Sequence, residues 1–220
     1  MPSPFDQSAY QVRFEWGEAG LDRLAAADVV VVVDVLRFSS TMTDAVAEGG
    51  QPLVADALAW SRNGAPVTVA AGRTGATVLA GSIRNAGAVA RAVQSIQERR
   101  GARTSVAVVA AGERDATGAL RFAVEDQLGA GAVIAALSDL GIDHTSPDAA
   151  VAGESFRALR RALTHMLTAS GSGRELAAGI PETALAEETG LTPTSTLAAA
   201  ALDAVDVVPE LRDGRFIRFD

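Results

Sequence analysis

The chain of 220 residues contains no cysteine and no lysine, and its only histidines are His144 and His165. Without cysteine there are no disulfides, thiolate nucleophiles or cysteine metal sites. Without lysine there is no Schiff-base chemistry and no P-loop phosphate clamp. No apolar run reaches the length of a membrane span, and no cationic, apolar leader opens the sequence, so the expectation is a cytoplasmic protein. The formal charge of −8 argues against a nucleic-acid partner, which would require a basic surface. Polar chemistry must come mainly from Asp, Glu, Arg, Ser, Thr and Asn. An anionic ligand would be held by arginine, helix N-termini or a divalent cation.

What is present alternates between two periodicities. The stretch "YQVRFEW" places Val12, Phe14 and Trp16 on one face of an amphipathic strand, and "GLDRLAAA" reads as a short helix. Five consecutive valines, Val29 to Val33, suit a strand covered on both faces, as in a mostly parallel sheet. "SSTMTDAVAEGG" has helical spacing, with hydroxyls at its start and Gly49 at its end. "QPLVA" and "PVTVAA" read as further short strands, and "TVLAGS" leads into the helix "NAGAVARAVQSI". "TSVAVVAAG" is a strand, "VEDQLGAGAVIAALSDLG" a helix, and a longer helix is expected from about Asp148 to Ala169. Near the end, Asp213-Gly214 marks a tight turn between two extended pieces. This alternation predicts a three-layer α/β/α sandwich with a mostly parallel, mixed central sheet. It is expected to form a single α/β domain over 1–220, two closely packed lobes being the variant.

In open α/β sheets ligands bind beyond the carboxyl ends of strands. Three strand ends carry polar groups: Asp34 with Arg37, Ser39, Ser40 and Thr41; Ser82 with Arg84 and Asn85; and Gly112-Glu113, with Glu125 and Asp126 opening the next helix. Each has a plainer reading. Asp34 accepts backbone N–H groups in a turn; the hydroxyls and Asn85 cap helices; Arg37 pairs with Asp34; and Glu125 and Asp126 are first-turn acids suited to the helix dipole. A helix N-terminus is both a capped end and an anion site. Neighbouring helical residues point about 100° apart, so one of Glu125 and Asp126 is expected to face a given ligand. Neither "GRTGAT" nor "GSGREL" has the context of a dinucleotide fingerprint, and "DVLRF" lacks the second aspartate of the haloacid dehalogenase pattern.

"VVVDVLRFSST", "DAVAEGG", "GSIRNAGAVARAV", "VAVVAAGE" with "VEDQLGAGAVIAAL", and "DVVPELRDGRF" together resemble, in order and rough spacing, the 2-phosphosulfolactate phosphatases. The resemblance implies a three-layer α/β fold and Mg²⁺-dependent hydrolysis of a phosphate monoester, the substrate being a small three-carbon sulfonate on the route to coenzyme M. Asp34, Arg37, Ser40 and Thr41 match its first block, Asn85 its middle block, and Glu125 and Asp126 its acidic block. Mg²⁺ takes one or two carboxylates plus water and substrate oxygens. Asp34 with Glu125 or Asp126 is thus the expected metal pair, with Asp34, Arg37 and Glu125 as catalytic residues. Arg37 and the groups around Ser40 and Thr41 would hold the anion, with Ser82 and Asn85 further substrate-binding candidates. A metal-polarised water is the simplest nucleophile, and direct attack by Asp34 the alternative. A non-catalytic small-anion binder is the second functional reading, and a homodimer is compatible with either.

The sequence also departs from the family. No Asn-Gly loop stands at the expected place, since Asn63-Gly64 precedes the segment read as the "PVTVAA" strand. Late in the chain an expected acidic residue is replaced near Ser195. Either the chain is divergent, or loops are missing near Ala57 to Arg62 and Ala71 to Thr77.

Overall fold

The structure is a computed structural model that describes residues 3–115 and 117–220. Its centre is a six-stranded sheet. Strands β1 (Val12–Trp16), β2 (Val29–Val33), β3 (Thr77–Gly81) and β4 (Val106–Ala110) are parallel, in the spatial order β1-β4-β2-β3. The hairpin β7 (Pro209–Arg212) and β8 (Arg215–Arg218) continues the sheet antiparallel beyond β3. Asp213 and Gly214 both have positive φ, which a two-residue turn of this twist requires. A separate ribbon pairs β5 (Glu113–Arg114) with β6 (Leu120–Arg121).

Strand β2 runs between β3 and β4 with all five valines buried. Val29, Val31 and Val33 join one core, packed by α5 (Ala86–Arg100), α6 (Val124–Asp139), α7 (Pro147–Leu159) and α8 (Leu163–Ala169). Val30 and Val32 join the opposite core with α1 (Gly17–Arg23) and α4 (Gly64–Ala71). A fully buried valine contributes about 1.5–3 kcal/mol, so such a strand tolerates a charge only where it ends, at Asp34. Helix α2 (Phe38–Ala47) covers the far end of the sheet, where Phe38 and Met42 meet Trp60 and Phe216. The fold is therefore the expected three-layer α/β sandwich with a mostly parallel mixed sheet.

Glycine lets α6 come close to its neighbours. A Cβ on Gly129 would lie 2.4 Å from Val35 Cγ2, and one on Gly131 would lie 2.2 Å from the Ala152 carbonyl oxygen of α7.

Several segments differ from the reading of their pattern. "PVTVAA" belongs to helix α4, not a strand. Its β-branched residues suggest extension, but Val67 and Ala71 face the α1 core while Ala65 faces the Trp60 cluster, a helical division of faces. "QPLVA" contributes only an isolated bridge, Leu53 to Arg215, before the short helix α3 (Val54–Ala57). The helix expected from Asp148 to Ala169 breaks between α7 and α8. Helices α9 (Gly171–Ala178) and α10 (Pro181–Glu188) follow α8, and α11 (Thr196–Ala199) follows them. Among the described residues no helix is long and apolar enough to cross a membrane.

Candidate active site

Asp34 is the first residue past β2, at the carboxyl end of the parallel sheet. Its Oδ1 accepts the Phe38 N–H at 3.1 Å and its Oδ2 accepts the Gly64 N–H at 2.9 Å. The carboxyl is fixed between the start of α2 and the start of α4. Burial, reinforced by the charges of Glu113 and Glu125, pushes it up to about 7; the Phe38 and Gly64 N–H groups oppose the shift. Gly64 has to be glycine here, because a Cβ would stand 2.5 Å from Asp34 Oδ2 and 2.7 Å from the Phe38 ring.

Asp126 lies in the first turn of α6. Its Oδ1 accepts the Val35 N–H at 2.7 Å and its Oδ2 the Gly112 N–H at 2.9 Å. It therefore ties the end of β2 to the end of β4. Burial, with Asp34 and Glu125 adding repulsion, raises its proton affinity well above the usual carboxylate range. Glu125, one residue earlier, is also buried and accepts a short hydrogen bond from the Ser172 hydroxyl at the start of α9. The two adjacent acids thus divide as helical geometry requires: Asp126 turns toward the backbone of the strand ends, and Glu125 toward an opening shared with Glu113, Ser172 and Glu175.

A cleft lies over Asp34. It is lined by Arg37, Trp60, Arg62, Asn63, Glu113 and residues of α9 and α10. Glu113 Oε1 accepts from Asn63 Nδ2 at 3.0 Å and from the Arg114 N–H at 2.8 Å. Arg37 donates through Nη1 to Thr183 Oγ1 at 2.8 Å, while its buried Nη2 has no acceptor among the described residues. Burial lowers its proton affinity, against the opposing pull of Asp34, Glu182 and Glu187. Arg62 spans the mouth, 3.5 Å from Glu175 and 3.6 Å from Glu182.

The remaining sequence candidates face elsewhere. Ser39 Oγ accepts the Asp34 N–H and donates to the Val32 carbonyl. Ser40 Oγ donates to the Val35 carbonyl, and Thr41 Oγ1 accepts the Thr194 N–H. Ser82 and Asn85 form a capping box, and the Asn85 amide reaches Thr43, Ala80 and Val207. Ser40, Thr41, Ser82 and Asn85 are wholly buried with these groups engaged inside the protein, and none lines the cleft. Ser195 caps α11. Sequence reasoning missed the parts of the cleft supplied by Trp60 to Asn63 and by α9 and α10. Asn63-Gly64 was the available signal there. With Gly64–Ala71 a helix and not a strand, Asn63 stands at its N-terminus and lines the cleft.

No three Asp, Glu or His side chains among the described residues form a ready-made metal cage. The donors nonetheless suit an ion that takes one or two carboxylates. Each Asp34 oxygen accepts one N–H and keeps a second lone pair. Asp126 suits it less, because both of its oxygens brace strand ends.

Such a fold defines an α/β protein with an acid-lined cleft at the carboxyl ends of parallel strands, the place where open α/β sheets bind ligands. A model of the 2-phosphosulpholactate phosphatase family matches residues 55–214 of the chain, which therefore belongs to that family of phosphatases. The match includes Asn63, Gly64, Glu113, Glu125 and Asp126, and begins after Asp34 and Arg37. A search of curated proteins finds no match.

Proposed function

We propose that the protein is a Mg²⁺-dependent phosphatase that hydrolyses a small anionic phosphate monoester, 2-phosphosulfolactate by family membership, to the alcohol and inorganic phosphate. The observation that carries the reading is the setting of Asp34: a buried carboxyl fixed by the Phe38 and Gly64 N–H groups at the end of β2, in a cleft that Glu113 also lines. The cleft it faces also holds Glu175 and Glu182 against the guanidinium groups of Arg37 and Arg62. A phosphate dianion entering so acidic a cleft meets net repulsion unless a cation accompanies it. Asp34 with Glu125 or Glu113 would hold that cation, which would supply charge neutralisation at the phosphoryl oxygens.

The chain's own residues would do the rest. Arg37, with one nitrogen fixed by Thr183, offers the other to an anionic oxygen. The Gly64 and Phe38 N–H groups keep the Asp34 carboxyl in place, so it needs no reorganisation when substrate arrives. Helices α9 and α10 contribute Ser172, Glu175, Leu176 and Glu182 to the lining of the cleft. Asn63 of an Asn-Gly pair lines this cleft, which speaks against the reading as a non-catalytic anion binder.

The test is release of phosphate from 2-phosphosulfolactate and from simple monoesters, with Mg²⁺ and with chelator. Turnover should require the metal, and Asp34→Asn should lower kcat/KM by about 10²-fold or more. Chelator-resistant turnover removes the metal from the proposal, and wild-type activity in folded Asp34→Asn removes the role of Asp34.

A further inference from the structure

Asn63 stands at the N-cap of α4, where an asparagine side chain ordinarily accepts an N–H of the first turn. Here it makes no such bond. The turn leaves it nothing to cap. The Gly64 N–H goes to Asp34 Oδ2 at 2.9 Å, the Ala65 N–H goes to Ser61 Oγ at 3.0 Å, and Pro66 has no N–H. The amide of Asn63 is used elsewhere: its Nδ2 donates to Glu113 Oε1 at 3.0 Å. An ionised carboxylate only accepts, which fixes the nitrogen as the contacting atom.

Glu113 receives its second donor, the Arg114 N–H at 2.8 Å, on the same Oε1. Among the described residues Oε2 receives none. Of Glu113 and Glu125, it is Glu113 that lines the cleft over Asp34; Glu125 lines the neighbouring opening and accepts from Ser172. One turn of chain therefore fixes two acids, Gly64 holding Asp34 and Asn63 holding Glu113. These acids follow the adjacent parallel strands β2 and β4, and the charge of Glu113 disfavours charge on Asp34. A partly buried glutamate left unheld would turn away from that repulsion. A donor that keeps the two together has a physical use where a cation is shared between them.

We infer that Asn63 is a positioning residue of the cleft, holding Glu113 through Oε1 so that Glu113, with Oε2 free, serves beside Asp34 as the second carboxylate for the divalent cation. The inference rests on the cation in the proposed function and deepens it, naming the second carboxylate and the side chain that sets it.

The test is calorimetric titration of Mg²⁺ into the free protein, with no ester present, for wild type, Asn63→Ala, Glu113→Ala and the double variant. Asn63→Ala should weaken binding about tenfold, as loss of a partner of a metal-binding side chain does. Glu113→Ala should weaken it at least as much. The double variant should bind like Glu113→Ala, because Asn63 acts through Glu113. Losses that multiply in the double variant overturn the positioning role, and so does wild-type binding by either single variant. Asn63→Ser carries the same test if the alanine variant does not fold. Serine keeps the capping chemistry, but its hydroxyl ends one bond short of Nδ2. Wild-type binding by Asn63→Ser assigns Asn63 to the helix end and overturns the inference. A wild-type protein that binds no Mg²⁺ overturns it together with the cation of the proposed function. The expected binding pattern without turnover of any ester supports the role of Asn63 and refutes the phosphatase reading alone. With turnover, the loss of phosphate release in Asn63→Ala should shrink as Mg²⁺ approaches saturation; a loss equal at limiting and saturating Mg²⁺ overturns the inference.

Discussion

Replacing Asp34 by asparagine should change how stability depends on pH. In the folded protein burial, with Glu113 and Glu125 contributing, raises Asp34 to about 7, whereas in the unfolded chain it titrates near ~3.9. Between those values the folded state holds a proton that the unfolded chain has released. Unfolding then releases protons, and stability falls as pH rises. The contribution is fully present below the unfolded value and is lost as pH climbs through about 7. From pH 5 to 8 about two units of this range are crossed, at about 1.36 kcal/mol each, giving a loss of about 2.7 kcal/mol. Asparagine has no proton to lose. Its amide must set a nitrogen against either the Phe38 or the Gly64 N–H, a penalty of about 1–3 kcal/mol that does not vary with pH. The diagnostic quantity is therefore the slope. Urea denaturation of both proteins in chelator should show the wild type losing about 2–3 kcal/mol relative to Asp34→Asn between pH 5 and 8. Asp126 shifts in the same direction, and because the Asp34 charge is one cause of its shift, Asp34→Asn lessens that shift and adds to the difference in the same sense. A difference constant to within about 0.5 kcal/mol over that range would refute the picture of Asp34 as a buried carboxyl crowded by other acids.

Two glycine substitutions should separate packing from chemistry. Gly131→Ala drives a methyl into the Ala152 carbonyl of α7, away from the cleft; it should lower unfolding free energy by about 1–3 kcal/mol while leaving kcat of the folded protein unchanged. Gly64→Ala presses on Asp34 and Phe38; it should cost a similar amount and also reduce kcat, because it displaces the N–H that holds the carboxyl. Matched thermal melts and phosphate-release assays check both, and a Gly64→Ala enzyme of full activity would detach that hydrogen bond from function.

The family resemblance extended over much of the chain, and the elements with strong local pattern were legible one by one. Val29 to Val33 could only be a two-sided buried strand, and the small-residue run after Asp126 could only be a close-packed helix. Asp213-Gly214 demanded a tight turn because both residues need positive φ. Asp34 stood out because a charge directly after five valines has no packing reason to be there. "PVTVAA" was misread because β-branched residues favour extension, while burial against two different cores required a helix. That one error hid the place of Asn63-Gly64 in the cleft.

The sequence by itself determined the layered α/β class, the acidic character of the site and the few residue types able to serve there, because hydrophobic period and composition are local quantities. Only the tertiary structure decided which acids meet. It turned Asp126 to brace the strand ends and Glu125 to the opening, drew Glu113 and Asn63 to Asp34, and buried Ser40, Thr41, Ser82 and Asn85 in the scaffold. Those outcomes depend on which strand ends lie side by side and on which side chains lose their water, and neither is written in any single stretch of the chain.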